Sequence, residues 1–430
     1  MDRSFSKSYL DSLARKHKFV QRKSRLDGSS FLSMLMFSSK SLQETSLEDL
    51  AADFCDRSDE QITKQAIQQR FNDKAVAFLE SILADQLANQ LPQLDKMRYS
   101  NFNRVRIKDS TRYSVPKNLA SVYAGHGGCG GPAQISIQYE YDLITGKTID
   151  LSFTSAIRND QRDSKETLHN IEKGDLLIRD LGYATQGYIK HIHQTGAYYL
   201  NRLNPMWIIK DRNLNKINYA DILKKCKRNS GKNIEMSVMI CIGKELFPSR
   251  LVVSRVDQQT YEKRMQKINK ENKRRGYKVS ESYKITAALN LFITNIPSEW
   301  ITTDKVREVY GLRWQVELVF KTWKSQLQID KIRTVKVQRF QCQLLARFIW
   351  IIMNWQAYRL TQTSMKNKCS MWKFFKTATK VSDQLRAVLF EQCTVINWLK
   401  TILSNADRRY RTEIKRGKPK YSDVLTNLLA

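Results

Sequence analysis

The feature that most constrains the fold of this chain is a change in the spacing of its apolar residues, which occurs twice. From residue 46 to about residue 91 the spacing is helical, whereas after Lys96 apolar and polar residues alternate, so that Val105 and Ile107 share one face of a strand. Beyond Leu327 the helical spacing returns. We therefore predict a mixed α/β fold in which helical regions flank a sheet.

Two of the predicted strands end in an aspartate. One ends at Asp109, and the apolar run over 174–180 predicts a buried strand that ends at Asp180. A hairpin over 133–154 and a helix over 163–172 are predicted between them. An aspartate at a strand end is more often a turn or cap residue than a ligand, so either one alone says little about function.

The block between Tyr183 and Pro297 has the pattern of a β-rich insertion. Its apolar runs predict strands over 197–203, 235–242, 251–256 and 287–296. Its most basic segment, 261–276, predicts a helix. The insertion therefore separates the second aspartate from the segment that follows Pro297.

Residues 310–324 (YGLRWQVELVFKTWK) predict a helix with two different faces. At about 100° per residue, one arc has the composition of a core stripe. Its members are Leu312, Val316, Val319, Phe320, Trp323 and Leu327. The other arc holds Tyr310, Arg313, Glu317, Lys321 and Lys324. A carboxylate among cations and a phenol suits a metal ion together with phosphates, although a solvated face with an intrahelical ion pair gives the same pattern.

Asp109, Asp180 and Glu317 form a candidate metal site. Carboxylates are preferred ligands of Mg²⁺ and Mn²⁺. Strand ends of one sheet lie side by side even when their residues are far apart in sequence, and the apolar stripe of the later helix could bring Glu317 over them. Two ions held there could activate the attacking oxygen and stabilise the leaving oxygen of a phosphoryl transfer.

The charge of the chain predicts a polyanionic partner. Lys and Arg number 73 against 42 Asp and Glu, which gives a formal net charge of +31. The excess is spread over 7–25, 263–278, 321–339 and 408–420. One basic run is usually a solvated helix face, but four such runs suit a duplex contacted at many phosphates. DNA is therefore the predicted partner.

Two short helical segments before residue 71 match a helix-turn-helix. The first covers 47–54 and the second begins near Asp59 or Glu60. The second would enter the major groove with Lys64, Gln65, Gln68 and Arg70. Helical hairpins with polar outer faces are common in bundles, so a purely structural role stays open.

The cysteines and the hydropathy of the sequence indicate the cellular environment of the protein. The seven cysteines are scattered without Cys-x-x-Cys spacing, which predicts a reduced, intracellular protein without structural zinc. Residues 1–30 lack the apolar run of a signal peptide, and the most apolar stretch, 344–353, is too short to cross a bilayer. We expect a cytoplasmic protein without membrane association.

The charged arc of residues 310–324 also carries a resemblance. Tyr310, Arg313, Glu317 and Lys324 are separated by two, three and six residues. This spacing resembles the Tyr-(2)-Arg-(3)-Glu-(6)-Lys signature of the insertion-sequence-four family of bacterial DDE transposases. In addition, KDST resembles the first-aspartate motif of that family and GDLLIRDLGY resembles its second. The order of regions is similar over essentially the whole chain.

The resemblance implies a fold and a division of the chain. The fold is an RNase H-like catalytic core that is interrupted by a β-rich insertion and flanked by N-terminal and C-terminal helical regions. The implied units are an N-terminal DNA-binding region, 1–96; the core, 97–184 and 286–340; the insertion, 185–285; and a C-terminal helical region, 341–430.

The resemblance also implies an activity. Asp109, Asp180 and Glu317 would be catalytic and would bind Mg²⁺ or Mn²⁺, while Tyr310, Arg313 and Lys324 would grip phosphates at the end of a mobile element. Lys321 lies on the same arc but outside the signature, so it is either a further DNA contact or a structural residue.

The implied protein is a bacterial, nucleoid-associated transposase that cleaves at the element ends and joins their 3′-hydroxyls to target DNA, as a homodimer in the synaptic complex. Two alternatives stay open: a structure-specific endonuclease that only hydrolyses, and a transposase-derived DNA-binding protein that has lost the chemistry.

Overall fold

The computed structural model describes residues 6–37, 46–58, 60–90, 101–228, 233–334, 336–365, 369–404, 406–412, 424–425 and 427–428. Three sequence predictions lie outside these ranges. They are the unit boundary at 96–97, a helix start at Asp59 and the basic residues 413–420.

Helices dominate both ends of the described chain. The N-terminal helices are α1 (Lys7–Lys16), α2 (Gly28–Met36), α3 (Leu47–Ser58), α4 (Lys64–Arg70) and α5 (Asp73–Ala88). The C-terminal helices are α11 (Val306–Tyr310), α12 (Trp314–Leu327), α13 (Val337–Ser364), α14 (Met371–Lys380), α15 (Ser382–Leu389), α16 (Val395–Leu403) and α17 (Ala406–Arg409). Side-chain caps begin several of them, such as Ser6 before α1 and Asn72 before α5.

Strands and short helices alternate between these two regions. The first group is β1 (Arg104–Ser114), β2 (Gln134–Asp142), β3 (Thr148–Ser155), α6 (Asp160–Glu166), β4 (Asp175–Arg179), α7 (Gln186–Thr195) and β5 (Tyr198–Arg202). The second group is β6 (Ile209–Lys210), α8 (Tyr219–Arg228), β7 (Ile234–Ile242), β8 (Glu245–Arg255), α9 (Gln258–Arg275), α10 (Glu281–Ala287) and β9 (Leu289–Thr294).

All of these strands belong to one sheet, in the order β3-β2-β1-β4-β5-β9-β8-β7-β6. The pairs β1–β4 and β4–β5 are parallel, whereas the remaining neighbours are antiparallel. Strand β5, which falls within the predicted insertion, therefore lies directly beside β4. The predicted mixed α/β fold with flanking helices is confirmed at this level.

Three predicted boundaries were wrong. Strand β1 continues past Asp109 to Ser114, because its pairing with β2 extends beyond its pairing with β4. The helix predicted over 163–172 begins earlier, at Asp160, because the side chain of Asn159 caps it, and it ends at Glu166. The helix predicted over 310–324 is divided into α11 and α12 by a 3₁₀ turn, Gly311–Arg313.

The sheet separates two apolar cores. On one face, Val105 and Ile107 of β1 pack with α12 and with the long helix α13. On the other face, Leu177 of β4 packs with Ile189 and Ile192 of α7. Because successive residues of a strand point to opposite faces, each strand near the centre contributes to both layers.

A buried ionic layer lies on the face of the sheet opposite α12. Arg106 and Lys108 of β1 are fully buried there. Arg106 donates to Glu140 of β2 at 3.0 Å and to Asp175 of β4 at 2.8 Å, and Arg179 donates to Glu140 at 2.9 Å. Burial alone would raise the pKa of Glu140, but Arg179, Arg106 and Lys108 lower it well below its usual range. The layer therefore links three adjacent strands by charge.

No helix among the described residues combines the length and the apolar character needed to cross a membrane.

The ionic layer predicts a large effect of Glu140→Gln on stability. The substitution leaves Arg179 buried without its ion-pair partner and Arg106 with Asp175 alone, and breaking a buried pair in this way typically costs about 3–5 kcal/mol. We expect a clear fall in the urea midpoint followed by circular dichroism. Asp221→Asn is the control, because Asp221 forms an exposed pair with Lys224 at 3.5 Å. Equal midpoints for the two variants would contradict the role of the layer.

Candidate active site

The parallel pairing of β1 with β4 aligns the two aspartates predicted from sequence. The last aligned pair is Lys108 with Arg179, so the next residue along β1 is Asp109 and the residue that follows β4 is Asp180. Asp109 lies on the α12 face of the sheet, and 20% of its side chain is exposed. Two residues 71 positions apart in sequence thus become neighbours through strand pairing.

Helix α12 is held against the sheet by its apolar stripe. All six predicted stripe residues are buried. The indole of Trp323 packs edge-on against Tyr139 of β2, with ring centroids 4.8 Å apart, and against Phe348 of α13 at 5.0 Å. The helix is therefore fixed between the sheet and α13, and this places Glu317, in its first turn, above the strand that carries Asp109.

Arg313 connects the strand carboxylate to the helix carboxylate. One terminal nitrogen, Nη1, donates to Asp109 Oδ2 at 2.9 Å, and the other, Nη2, donates to Glu317 Oε1 at 2.9 Å. The side chain of Arg313 is only 9% exposed, so both ion pairs lie mostly out of solvent. The arginine also interacts electrostatically with Asp180. Arg313 thus bridges two of the predicted carboxylates, and its charge also acts on the third.

Tyr310 completes the cluster on the Asp180 side. Its hydroxyl donates to Asp180 Oδ1 at 3.4 Å, and its ring packs against Phe292 of β9 at 5.2 Å. Burial, followed by the charge of Asp180, raises the pKa of Tyr310 to about 12. The phenol therefore keeps its proton at neutral pH and remains a hydrogen-bond donor.

The two lysines of the charged arc lie further along α12. The ammonium of Lys324 donates to the carbonyl of Arg112 at 3.2 Å and lies over the ring of Tyr113 at 5.9 Å. Burial lowers the pKa of Lys324. Lys321 is exposed. The arc predicted from sequence therefore divides into an inner group around Arg313 and an outer pair of cations.

The electrostatic environment of Asp109 differs from that of an ordinary surface aspartate. Its pKa is raised to about 6, first by burial and then by the negative charges of Glu317 and Asp180, while the N–H of Ser110 and Arg313 act in the opposite direction. Arg313 shows the converse behaviour: burial lowers its pKa, but Tyr310, Asp109 and the other carboxylates more than offset this and raise it. The cluster is therefore a group of carboxylates that repel one another and that the positive charge of Arg313 stabilises.

The three carboxylates are chemically suited to bind a divalent cation, but their oxygens are not arranged around a common metal position. Within the described residues, no three His, Cys, Asp or Glu side chains are positioned to hold a metal ion. The direct convergence predicted for the three carboxylates is replaced by contacts through Arg313, which lies between Asp109 and Glu317. Carboxylate oxygens are nevertheless the ligand type that Mg²⁺ and Mn²⁺ prefer.

Sequence reasoning missed a polar network that holds the turn after β4. Asp160 accepts hydrogen bonds from Ser110 at 3.0 Å and from Gln138 at 3.1 Å. Gln138 in turn accepts from the hydroxyl of Tyr183 at 2.6 Å, and the backbone N–H of Tyr183 donates to the carbonyl of Asp180. Tyr183 was visible in the GDLLIRDLGY motif, whereas Asp160 carried no pattern. The network fixes the backbone of Asp180.

The predicted DNA-reading residues of the N-terminal region differ in exposure. Helix α4 is short and packs against α3. Lys64 and Gln65 are exposed and Gln68 is half-buried, while Lys64 also forms an ion pair with Glu48 of α3. These three side chains are therefore at or near the surface, as a DNA-reading role requires.

Arg70 has a structural role instead of the predicted DNA contact. Its guanidinium donates to the carbonyls of Phe19 at 3.1 Å and Leu26 at 3.2 Å, to the hydroxyl of Ser24, and lies over the Phe19 ring at 5.4 Å. These contacts tie α4 to the loop between α1 and α2. The donors of Arg70 are therefore used within the protein.

Comparison with known proteins gives a consistent result for family and length. The family described as "Transposase DDE domain" matches residues 100–353. The chain is 33% identical over 405 residues to the transposase for insertion sequence element IS231F of Bacillus thuringiensis subsp. israelensis, which covers 90% of this chain and 84% of that protein. It is 28% identical over 428 residues to the transposase for IS1151 of Clostridium perfringens, covering 94% and 90%.

Among solved structures, the piggyBac transposase synaptic complex with hairpin DNA has a TM-score of 0.49 and 10% identity, over 97% of this chain and 86% of that chain.

The raised pKa of Asp109 predicts a stability difference that depends on pH. In the metal-free protein this carboxyl has a pKa of about 6, against 3.8 without the fold. Its contribution to stability is therefore fully present below pH 3.8 and is lost as the pH rises through 6. Asp109→Asn, which never ionises, should raise the thermal midpoint at neutral pH by the equivalent of at most about 3 kcal/mol.

Thermal unfolding in EDTA, followed by circular dichroism over a pH series, measures this effect. The gain should shrink towards zero as the pH falls below 3.8. Glu308→Gln in α11 is the control and should show no such trend. A gain for Asp109→Asn that grows in acid would contradict the expected sign.

Proposed function

Because the chain belongs to the family of DDE transposases, we propose that Asp109, Asp180 and Glu317 are the catalytic carboxylates with which it cleaves DNA at the ends of a mobile element and joins the 3′-hydroxyls to target DNA. The transposase assignment predicted from sequence is confirmed by the family match and by the relatives of nearly full length. The observation that carries the residue assignment is that Arg313 bridges Asp109 and Glu317, while strand register places Asp180 beside Asp109.

The three carboxylates would hold Mg²⁺ or Mn²⁺. When bound, such an ion supplies Lewis acidity, which lowers the pKa of an attacking water or hydroxyl and neutralises charge on the phosphate. The protein positions the donors: β1 and β4 fix the aspartates, and the packed stripe of α12 fixes Glu317. No Ser, Cys or His nucleophile is needed, because phosphoryl transfer depends mainly on positioning and electrostatics.

The remaining signature residues would bind phosphate groups of the element end. Arg313 presents a planar set of donors that matches two phosphate oxygens. Tyr310 adds a protonated hydroxyl beside Asp180, and Lys324 adds a point charge about two turns beyond Glu317 on the same face of α12. Lys321 is exposed next to them and would add a further cation.

The sheet order supports an RNase H-like core. Strands β1, β2 and β3 form an antiparallel meander, and β4 and β5 follow in parallel beside β1. We assign these five strands to the core and place the start of the β-rich insertion after Arg202, later than the boundary at 185 expected from sequence. The insertion would then contribute β6 to β8 and helices α8 to α10.

The wider assembly follows from the same assignment. Lys64, Gln65 and Gln68 would contact DNA from the N-terminal region, and Arg70 is left out because its donors are occupied. Two copies of the chain would act on the two element ends in a synaptic homodimer. Such an enzyme would work on bacterial, nucleoid-associated DNA.

Replacement of the carboxylates tests the catalytic assignment. Asp109→Asn, Asp180→Asn and Glu317→Gln should each reduce both plasmid nicking and joining of a pre-cleaved end by about 1000-fold or more, as expected when a group that acts in the transition state is lost. Glu308→Gln, on the neighbouring helix α11, should behave like the parent.

The two assays also separate the alternatives. Nicking without joining in the parent would indicate an endonuclease, and DNA binding without nicking would indicate an inactive relative. Parent-like nicking by any of the three carboxylate variants would refute the assignment of that residue.

Replacement of Arg313 tests its position between the carboxylates. Arg313→Gln removes a positive charge that competes with a metal ion, so Mn²⁺ should bind the DNA-free protein about tenfold more tightly or better. The same variant should lose joining activity, because it lacks the guanidinium that would bind a phosphate of the element end. Isothermal titration calorimetry measures the affinity, and Lys321→Gln is the matched control with the same charge change. Equal Mn²⁺ affinities for the two variants would contradict the arrangement.

A further inference from the structure

Helix α9 is a basic helix at the surface of the protein. None of its residues is buried, and one side, which includes Tyr261, Arg264 and Ile268, is half-buried. The pair Arg275–Glu271 is the one ion pair found along its described length. The ends of the helix are capped by Asp257 at the N-terminus and by the left-handed Gly276 at the C-terminus. Packing therefore involves one side of the helix and leaves the rest of its surface in solvent.

One face of α9 forms a continuous cationic stripe. At about 100° per residue, Lys263, Lys267, Lys270 and Arg274 lie within about 60° of one another. All four are exposed, and none is among the ion pairs found in the described part of the chain. No other residue of α9 falls within this arc, so the arc contains no carboxylate. We call these four cations the α9 stripe.

The length of the α9 stripe suits a DNA backbone. From Lys263 to Arg274 the helix rises about 16 Å, at roughly 1.5 Å per residue. One strand of B-DNA advances about 3.4 Å per phosphate along its axis, so the stripe could follow a run of about five phosphates. Lysine and arginine contacts to phosphates position a duplex without reading its sequence.

The sheet places α9 at the same end as the candidate active site. Strand β5 runs parallel to β4 and so ends on the side where Asp180 follows β4. Strand β9 is antiparallel to β5 and begins on that side, where Leu289 pairs with Arg255 at the end of β8. Helix α9 starts three residues after Arg255. Topology alone therefore brings the helix to the catalytic edge.

The charge of Arg202 acts both on the carboxylate cluster and on α9. Arg202, at the end of β5, interacts electrostatically with Tyr310 on one side and with Arg264 of α9 on the other. Arg264 anchors the helix by donating to the carbonyls of Ala287 and Leu289, each at 2.9 Å. Because Arg264 lies about a quarter turn from the centre of the α9 stripe, anchoring leaves the stripe free.

We infer that the α9 stripe holds target DNA, through its phosphates, beside the catalytic carboxylates. Target DNA fits better than the element end because the stripe offers charge without a set of base-reading groups, and a joining enzyme must accept a duplex at this edge in addition to the end that it has cut. The inference rests on the proposed function, since it needs a joining reaction at the cluster formed by Asp109, Asp180 and Glu317.

The test compares joining with cleavage in the full-length protein. Joining of a pre-cleaved duplex of the element's own terminal sequence is measured against a rising concentration of unrelated plasmid. The test uses the quadruple variant Lys263→Gln/Lys267→Gln/Lys270→Gln/Arg274→Gln. This variant should need at least about tenfold more plasmid than the parent for half-maximal joining. Its joining activity should also fall by a larger factor than its end-cleavage activity. In a separate binding assay with an unrelated labelled duplex, the slope of log affinity against log salt should become shallower by about 3 to 4.

A pair of double variants separates the stripe from net charge. Lys267→Gln/Lys270→Gln removes two stripe cations, whereas Arg275→Gln/Lys278→Gln removes two exposed cations outside the stripe. The first should make the salt slope shallower by about 2 and the second should leave it closer to the parent. Equal effects of the two double variants would overturn the inference, because net charge would then explain both.

Two further outcomes would also overturn it. If cleavage falls in parallel with joining in the quadruple variant, the stripe holds the element end. If neither the plasmid requirement nor the salt slope changes, the stripe does not contact DNA. A parent protein that neither cleaves nor joins would refute the proposed function instead, and the salt slope, which needs no catalysis, would still decide whether the stripe contacts DNA.

Discussion

The arrangement of the active site depends on a positive charge placed among three negative ones. Asp109 and Asp180 are adjacent because their strands pair, and Glu317 is above them because α12 is packed there, yet three partly buried carboxylates repel one another. Arg313 offsets this repulsion by donating to two of them within 2.9 Å. It also ties the helix to the sheet, so one side chain serves both the electrostatics and the alignment of the cluster.

Patterns that depend on local periodicity were predictable from sequence. The apolar stripe of α12, from Leu312 to Leu327, is buried as expected, since a helix must bury its apolar arc wherever it packs. The turn between β2 and β3 and the strand before Asp180 were also found close to their predicted positions. The four-residue signature indicated the family through its resemblance to a known pattern, and the family match confirms that family.

Features that depend on partners distant in sequence were not predictable. Strand β1 extends through polar residues to Ser114 because β2 supplies hydrogen bonds there. Arg106 and Lys108 are fully buried although sequence favours exposed charges, since their counter-charges come from β2, β4 and α6. Arg70 looked like a DNA contact because the loop that binds it lies about fifty residues earlier. In each case the residue that determines the structure is distant in sequence, so the local pattern of residue types does not indicate it.

The buried ionic layer beneath the active site has a consequence for the accuracy of the catalytic geometry. Arg106 forms ion pairs with Glu140 of one neighbouring strand and Asp175 of the other. Sliding β1 by one position would turn Arg106 and Lys108 toward the apolar core, leave their acidic partners buried without a counter-charge and turn Asp109 away from the face of α12. Charges that take no part in the chemistry thus keep the catalytic aspartate on the correct face of the sheet.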